Sequence, residues 1–229
     1  MSIVPNHLGI IIDGNRRWAK TRNLPAFEGH RKGYNKLKDV GKWCKEKGVK
    51  ILTIYAFSTE NWNRSRKEVN YLMRLLARAM TKKEVRNLMK DGIKLNVIGQ
   101  VERLPEYLQK AIKSAEYATK NNKEGVLNLA ISYGGRAEIL QAVKRIVKEG
   151  ITADEIDEET IGRYLWTKGL ADPDLIIRTA GEQRLSNFLL WQIAYSELYF
   201  TKKYWPDFEK SDLEQVFHDY AQRQRRYGK

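Results

Sequence analysis

The 229-residue chain carries 42 Lys+Arg against 28 Asp+Glu, a formal net charge of +14, and its 42% of apolar residues excludes a disordered polyelectrolyte. One cysteine, Cys44, excludes an internal disulfide and a cysteine-built zinc cluster, and three scattered histidines exclude a His-rich metal centre. No apolar run approaches the ~20 residues that span a bilayer, and no secretory-signal pattern is visible, so a cytoplasmic location is expected.

Short apolar runs alternate with stretches of helical period. Residues 8–12 read as a buried strand. Over 31–47, Tyr34, Leu37, Val40 and Cys44 recur at three- and four-residue steps, which predicts an amphipathic helix burying Cys44 as a small hydrophobe. Residues 49–57, rich in β-branched and aromatic side chains, are a second strand. A long helix, or two joined near Thr81, covers 67–90; 93–98 is a strand, 105–119 a helix and 126–132 a strand. Residues 137–148 and 158–166 are helical, 175–178 and 195–200 are strands, and 212–226 is a closing helix. Strand–helix alternation with short linkers predicts an α/β fold: a single domain over 1–229, with a mostly parallel six-stranded sheet flanked by helices.

Ligands of open parallel sheets bind beyond the carboxyl ends of the strands. The first strand is followed by Asp13, Gly14, Asn15, Arg16, Arg17 and Trp18, and the second by Ser58, Thr59, Glu60, Asn61, Trp62, Asn63 and Arg64. The fourth runs into Tyr133-Gly134-Gly135-Arg136, and the fifth, ending at Arg178, into Thr179-Ala180-Gly181-Glu182-Gln183-Arg184-Leu185-Ser186. This mixture suits phosphate or diphosphate. Gly14 and Asn15 permit a tight turn with backbone N–H groups facing an anion, and Arg17, Arg64, Arg178 and Arg184 offer forked donors. Asp13 and Glu197 are candidate ligands for a hard cation such as Mg²⁺. No Walker A pattern, Rossmann fingerprint or nucleophile elbow is present.

Each feature alone has a bland reading. Asp-Gly after a strand is usually a turn, and one arginine at a strand end is usually a surface ion-pair partner. Trp18 and Trp62 read equally as core aromatics, Trp191 inside its apolar run is expected to be one, and His30 reads equally as a satisfied helix-start histidine. Convergence of four such segments on one rim favours the functional reading.

At these residues the sequence resembles the cis-prenyltransferase family, that of undecaprenyl diphosphate synthase. The resemblance lies in HLGIIIDGNRRWAK (7–20), YAFSTENWNR (55–64), ISYGGRAEI (131–139) and DLIIRTAGEQRLSNFLLWQIAYSELYF (174–200), with WPDF (205–208) and RRYG (225–228) in order. It covers nearly the whole chain. It implies a six-stranded parallel sheet enclosing an apolar tunnel, a homodimer, and Mg²⁺-dependent addition of isopentenyl diphosphate units to an allylic diphosphate, farnesyl or geranylgeranyl. Each new double bond would be cis, giving a product such as undecaprenyl diphosphate. Asp13 would be the essential carboxylate, holding Mg²⁺ and assisting departure of the allylic diphosphate. Gly14, Asn15, Arg16 and Arg17 would cradle that diphosphate, with Trp18 and His30 beside it. Ser58, Thr59, Glu60, Trp62 and Arg64 would line a mobile loop, with Asn61 at the position assigned proton removal. Arg178, Arg184, Leu185 and Ser186 would bind isopentenyl diphosphate, and Glu197 would add a Mg²⁺ contact, across a dimer. Arg226 and Gly228 would reach a partner's site. Ile54, Ala56, Leu72, Leu76 and Leu95 are candidates for the tunnel wall, although an ordinary core uses the same residues.

The chain departs from the family pattern at four places. Arg16 stands where many bacterial members have glycine, Ala26 where arginine is frequent, Gln183 in place of histidine and Ser65 in place of proline. Arg16 compensating for Ala26 is the reading these departures suggest. Asn61 is a weak base, so the diphosphate itself is the expected proton acceptor and Asn61 a positioning group.

Three rival readings remain. A shorter-chain cis-prenyl diphosphate synthase shares every motif. A non-catalytic partner subunit would be expected to lose Asp13 or the loop arginines, which this chain keeps. A nucleic-acid module is suggested only by charge, and no nucleic-acid motif is present. The charge is also local: residues 1–94 hold 22 basic and 8 acidic side chains, and residues 95–229 hold 20 of each. Much of it lies in Lys32, Lys36, Lys38, Lys42, Lys45 and Lys47, either as a solvated helix face or as a surface resting on the anionic inner face of a membrane.

Overall fold

In a computed structural model describing residues 4–223, six strands form one sheet: β1 (His7–Ile11), β2 (Ile51–Ser58), β3 (Ile93–Ile98), β4 (Gly125–Tyr133), β5 (Leu175–Arg178) and β6 (Glu197–Phe200). All neighbours are parallel, in the order β3-β4-β2-β1-β5-β6. Every predicted strand is present, with ends shifted by at most two residues. β1 is buried at all five positions, as a central strand covered on both faces requires.

The helices are α1 (Asn15–Lys20), α2 (Ala26–Lys47), α3 (Arg66–Ala79), α4 (Lys82–Lys90), α5 (Glu106–Thr119), α6 (Gly135–Lys148), α7 (Glu158–Tyr164) and α8 (Lys210–Gln222). The stretch 67–90 is therefore two helices, parted at Met80 and Thr81. α2 starts five residues before the expected position because its first buried residues, Gly29, His30 and Gly33, do not register as apolar. The two glycines let α1 lie directly on α2: a Cβ at Gly29 would stand 1.9 Å from the Asn15 carbonyl oxygen, and one at Gly33 2.1 Å from Asn15 Oδ1. The end of the predicted 212–226 helix and the motif 225–228, with Arg226 and Gly228, lie outside the described residues.

Alternate residues of the strands face two cores. Leu8, Ile10, Leu52, Ile54, Leu95, Leu129 and Ile131 join α2, α3, α5 and α8 in the larger one, where Cys44 is buried as expected. Ile11, Tyr55, Ile98, Ala130 and Ile176 join Phe188, Leu189 and Ile193 on the other face. Trp191, expected as a core aromatic, is instead only half-buried and lines a surface cavity with Leu165, Leu170 and Gln192. After β1 the chain passes to the first face and after β5 to the second. Adjacent strands that send their loops to opposite faces leave a crevice at their carboxyl ends.

The second face also carries a buried polar seam. Asn96 Nδ2 donates to Asn128 Oδ1 (2.9 Å), Asn128 Nδ2 to Thr53 Oγ1 (3.1 Å), and the Thr53 hydroxyl pairs with His7 Nε2 (2.7 Å). His7 Nδ1 donates to the Ala171 carbonyl (2.6 Å), which leaves Nε2 to accept. Burial pushes the His7 imidazole down to about 4, against smaller opposing effects of the Ala171 carbonyl and Asp174. Between pH 6.5 and 4 the unfolded chain therefore binds a proton that the folded chain does not, so acidification destabilises the fold. The expected loss from His7 is about 3 kcal/mol across that window, absent above it. Urea unfolding of wild type and His7→Gln at pH 7 and pH 4.5 checks this. Equal pH dependence in the two proteins contradicts it.

The lysines of α2 are not a free cationic surface. Lys38 pairs with Glu84, Lys45 with Asp91, and Lys47 with Glu214, while Lys36 lies over the Trp43 ring. No helix among the described residues is long and apolar enough to cross a membrane.

Candidate active site

The β1–β5 register sets Ile11 opposite Arg178, which brings Asp13 beside the Arg178 side chain. Arg178 is 4% exposed, and both terminal nitrogens of its guanidinium are engaged. Nη2 donates to Asp13 Oδ2 at 2.9 Å, and Nη1 donates to Ser186 Oγ at 2.8 Å and to the Arg184 carbonyl. Arg178 Nε and Asn15 Oδ1 are buried without a protein partner. Asp13 Oδ1 accepts the Gly14 N–H at 2.7 Å, and Arg17 Nη2 lies 3.4 Å from Oδ2. Burial pushes the Asp13 carboxyl up, but the Arg178 and Gly14 hydrogen bonds and the charges of Arg178 and Arg17 outweigh it and hold it below the usual range. Asp13 is an anion at neutral pH.

The Asp13 backbone is fixed as firmly. Its carbonyl accepts the Thr179 hydroxyl at 2.7 Å and the Trp205 N–H at 3.0 Å. Gly14 follows at φ 98°, and a Cβ there would stand 2.7 Å from the Tyr204 ring and 2.9 Å from Ala180 Cβ, so only glycine makes this turn. Arg17 Nη1 reaches Glu182 Oε1 (2.8 Å), whose Oε2 holds Arg184 Nη1 (2.6 Å). Asp13 and Glu182 thus thread Arg178, Arg17 and Arg184 into a chain of alternating charge. The segment after β5 that carries Ser186 holds left-handed backbone at Ala180, Ser186, Asn187 and Leu189. Such conformations persist where surrounding bonds fix them, and here the Arg178 fork ties the segment to Asp13.

β2 ends in a 3-10 turn, Thr59–Asn63, capped by Ser58. Asn61 Oδ1 accepts the Ser58 N–H at 3.1 Å, and Glu60 takes the Asn187 amide (3.1 Å) and the Thr59 hydroxyl (3.1 Å). Trp62 donates to Ser132 Oγ at 2.9 Å and packs edge-on to Phe57, fixing the turn on the end of β4. Beyond the turn, Glu68 gathers nitrogen donors: Arg64 Nη1 at 3.0 Å, His30 Nε2 at 3.2 Å and Arg16 Nη1 at 3.9 Å. Burial lowers His30 more than Glu68 raises it, and Arg64 and Arg16 add to the lowering, so the imidazole is neutral at pH 7. Ser65 caps α3 by accepting the Glu68 N–H at 3.3 Å.

Three predicted residues make contacts outside the ion-pair chain of the crevice. Trp18 is 9% exposed, with its indole N–H spent on Asp207 Oδ1 at 2.6 Å beneath α1. Leu185 packs on the second-face core. Glu197 opens β6 level with Leu175, and Leu175 pairs with Leu8, so it sits about five residues of strand, ~17 Å, behind Asp13 and pairs with Arg223 at 2.8 Å. No group of three or more His, Cys, Asp or Glu among the described residues is placed to hold a metal.

Sequence reasoning passed over Glu68, Glu182, Asn187 and Asp207. Glu68 had a signal, the Ser65-x-x-Glu68 cap spacing and its position four after Arg64. The other three act on partners more than a hundred residues away, or, for Glu182 on Arg184, through a loop, and no spacing rule reaches them.

A separate cavity of about 680 Å³ lies between α2, α4 and the amino-terminal halves of β2, β3 and β4. Leu95, one of the tunnel-wall candidates, lines it. Ile54, Ala56, Leu72 and Leu76 do not; they pack in the larger core.

A family model described as "Putative undecaprenyl diphosphate synthase" matches residues 11–228. A Thermoplasma volcanium protein named tritrans,polycis-undecaprenyl-diphosphate synthase (geranylgeranyl-diphosphate specific) is 52% identical, over 98% of this chain and 89% of its own. An isoprenyl transferase of Clostridium tetani is 48% identical over the same shares. Among solved structures, lavandulyl diphosphate synthase from Lavandula x intermedia, in complex with dimethylallyl diphosphate, superposes with a TM-score of 0.94 at 44% identity, covering 98% of both chains. A probable undecaprenyl diphosphate synthase from Campylobacter jejuni superposes at 0.82 with 32% identity, covering 99% of this chain and all of the other.

Proposed function

The chain belongs to the undecaprenyl diphosphate synthase family of cis-type prenyltransferases, and from that premise we propose that it condenses isopentenyl diphosphate repeatedly onto farnesyl or geranylgeranyl diphosphate, making a cis-polyprenyl diphosphate such as undecaprenyl diphosphate. The observation that carries this reading is the convergence of Asp13, Arg17, Arg178 and Arg184 on one crevice from two adjacent strands. Each arginine is held by a carboxylate or carbonyl, so incoming phosphate oxygens meet donors already oriented, and little reorganisation is needed.

Ionisation of the allylic diphosphate leaves an allylic cation and a departing anion. Arg16 and Arg17 stand beside the Gly14 turn to take that anion, and Arg178, Arg184 and Ser186 take the diphosphate of the second substrate. The C2 proton released after C–C bond formation goes to the departing diphosphate. Asn61 Oδ1 is engaged by the Ser58 N–H, which supports a positioning role for its amide rather than proton removal. Neutral His30, held by Glu68, keeps the Arg16–Arg64 side of the crevice in place.

The donor set fits Mg²⁺ in one way. Asp13 is an ionised hard-oxygen ligand with its side chain 32% exposed, and it is a single carboxylate, as suits an ion held mainly by diphosphate oxygens and water. When bound, the ion would neutralise charge building on the departing diphosphate. Glu197 would join such a site only from a second copy of the chain. Leu140, Val143 and Val147 form an exposed apolar stripe along α6, which supports a homodimer. Contact of the α2 face with anionic lipid belongs to the same reading, with Lys32 and Lys36 left on that face.

The cavity supports a long product. Its volume of about 680 Å³ and its leucine-lined sheet side exceed what a single five-carbon unit needs, which favours repeated addition over one. The lavandulyl diphosphate synthase neighbour favours the alternative of a shorter product. Incubating the protein with labelled isopentenyl diphosphate, Mg²⁺ and dimethylallyl, farnesyl or geranylgeranyl diphosphate, then sizing the products, separates them. Long chains from the larger starters are expected. A single addition at most contradicts repeated condensation, and no product with any starter points to a partner subunit. In the same assay Arg16→Gly is expected to raise the allylic-substrate KM about tenfold with kcat little changed. An unchanged KM contradicts the role given to Arg16.

A further inference from the structure

The distal cavity is apolar on its sheet side, where Leu52, Leu95, Leu127 and Leu129 face it, and charged along the slit between α2 and α4. Two ion pairs cross that slit. Lys38 on α2 pairs with Glu84 on α4, and Lys45 Nζ lies 2.7 Å from Asp91 Oδ1 at the end of α4. Between them on the same stripe of α2 stands Gly41. Nothing lies within 4 Å of where its Cβ would be, so this helix-interior glycine leaves the cavity open. Glycine is disfavoured inside a helix, and no close approach here requires it.

We infer that the slit between α2 and α4 is a lateral exit for the far end of the polyprenyl chain, latched by Lys38–Glu84 and Lys45–Asp91. The inference rests on the reading of the cavity as the space that receives the growing chain. The chemistry is at the carboxyl ends of the strands and the cavity at their amino ends, so a chain that fills the cavity has the slit ahead of it. Exposed ion pairs hold weakly, so the latch yields to a lengthening apolar chain without unfolding the wall. The product length at which the chain leaves is then set partly by these four side chains.

Cys44, the chain's only cysteine, reports on the slit. It lines the cavity, it is 2% exposed, and burial raises its thiol to about 12, so it reacts slowly while the slit is closed. The experiment compares wild type, Glu84→Gln/Asp91→Asn, and a double swap, Lys38→Glu/Glu84→Lys with Lys45→Asp/Asp91→Lys. Two readouts are taken: the rate of Cys44 alkylation by N-ethylmaleimide without substrates, and the product-length distribution. Breaking both pairs is expected to raise the alkylation rate about tenfold and shift products to longer chains, and the swap is expected to restore both. An unchanged alkylation rate overturns the latch. Faster alkylation with unchanged products overturns the exit. Absence of product from wild type contradicts the proposed function instead, and alkylation still decides the latch. Gly41→Phe, which fills the open space, is expected to slow alkylation and shorten products; if neither rate nor product length changes, the exit is overturned.

Discussion

Replacing Asp13 by asparagine is expected to lower kcat by on the order of 10³-fold while leaving the secondary structure intact. Asparagine keeps the shape and can still accept the Gly14 N–H, so the turn survives. It removes the carboxylate charge that answers the buried Arg178 fork at 2.9 Å and lies 3.4 Å from Arg17, leaving Arg17 to Glu182 alone, and with it the carboxylate beside Gly14 proposed to share an ion with a diphosphate. A group acting where charge develops typically contributes 10²–10³-fold or more. Steady-state kinetics with saturating substrates checks this. Activity within tenfold of wild type would place the essential carboxylate elsewhere.

Arg178→Lys is expected to lose at least about 100-fold in kcat/KM for isopentenyl diphosphate and to lower stability by about 2 kcal/mol. An ammonium cannot hold Asp13, Ser186 Oγ and the Arg184 carbonyl at once, as the planar fork does. The loss therefore reaches beyond one contact. Ser186 and Asn187 sit at φ 48° and 67°, and the fork is one of the bonds that keeps that segment in place. Its release would loosen Arg184 as well. The stability figure is below that of a fully buried pair because the Asp13 side chain is 32% exposed and water can answer it. Thermal unfolding and kinetics with each substrate varied in turn check the two parts. A variant with wild-type kcat/KM for isopentenyl diphosphate would remove Arg178 from that substrate's site.

What the sequence makes legible here follows from range of interaction. Strands betray themselves by local apolar runs, and β5 is read to the residue because Leu175–Arg178 lies between turn residues. The start of α2 is hidden, because glycines and a buried histidine pack there in place of hydrophobes. At the site, motifs name Asp13, Arg178 and Ser186, and the fold ties them together through one guanidinium. Glu68 and Glu182, which hold the other arginines, are unremarkable acids in sequence and acquire their roles only through chain crossings. Trp18 resembles a substrate residue by its place in a motif, yet its indole N–H is spent on Asp207 in the WPDF segment. The +14 likewise changes meaning: half of the α2 lysines, Lys38, Lys45 and Lys47, are paired with α4 and α8, and arginines collect at the crevice.

The central claim is that this crevice transfers an allylic group to isopentenyl diphosphate with cis geometry. A single-turnover reaction with geranylgeranyl diphosphate, one equivalent of labelled isopentenyl diphosphate and Mg²⁺ tests it most directly. The prediction is one diphosphate released per label incorporated, a cis double bond in the new unit, and neither product from Asp13→Asn on the same timescale. Label that remains in isopentenyl diphosphate, or a trans double bond in the product, would contradict it.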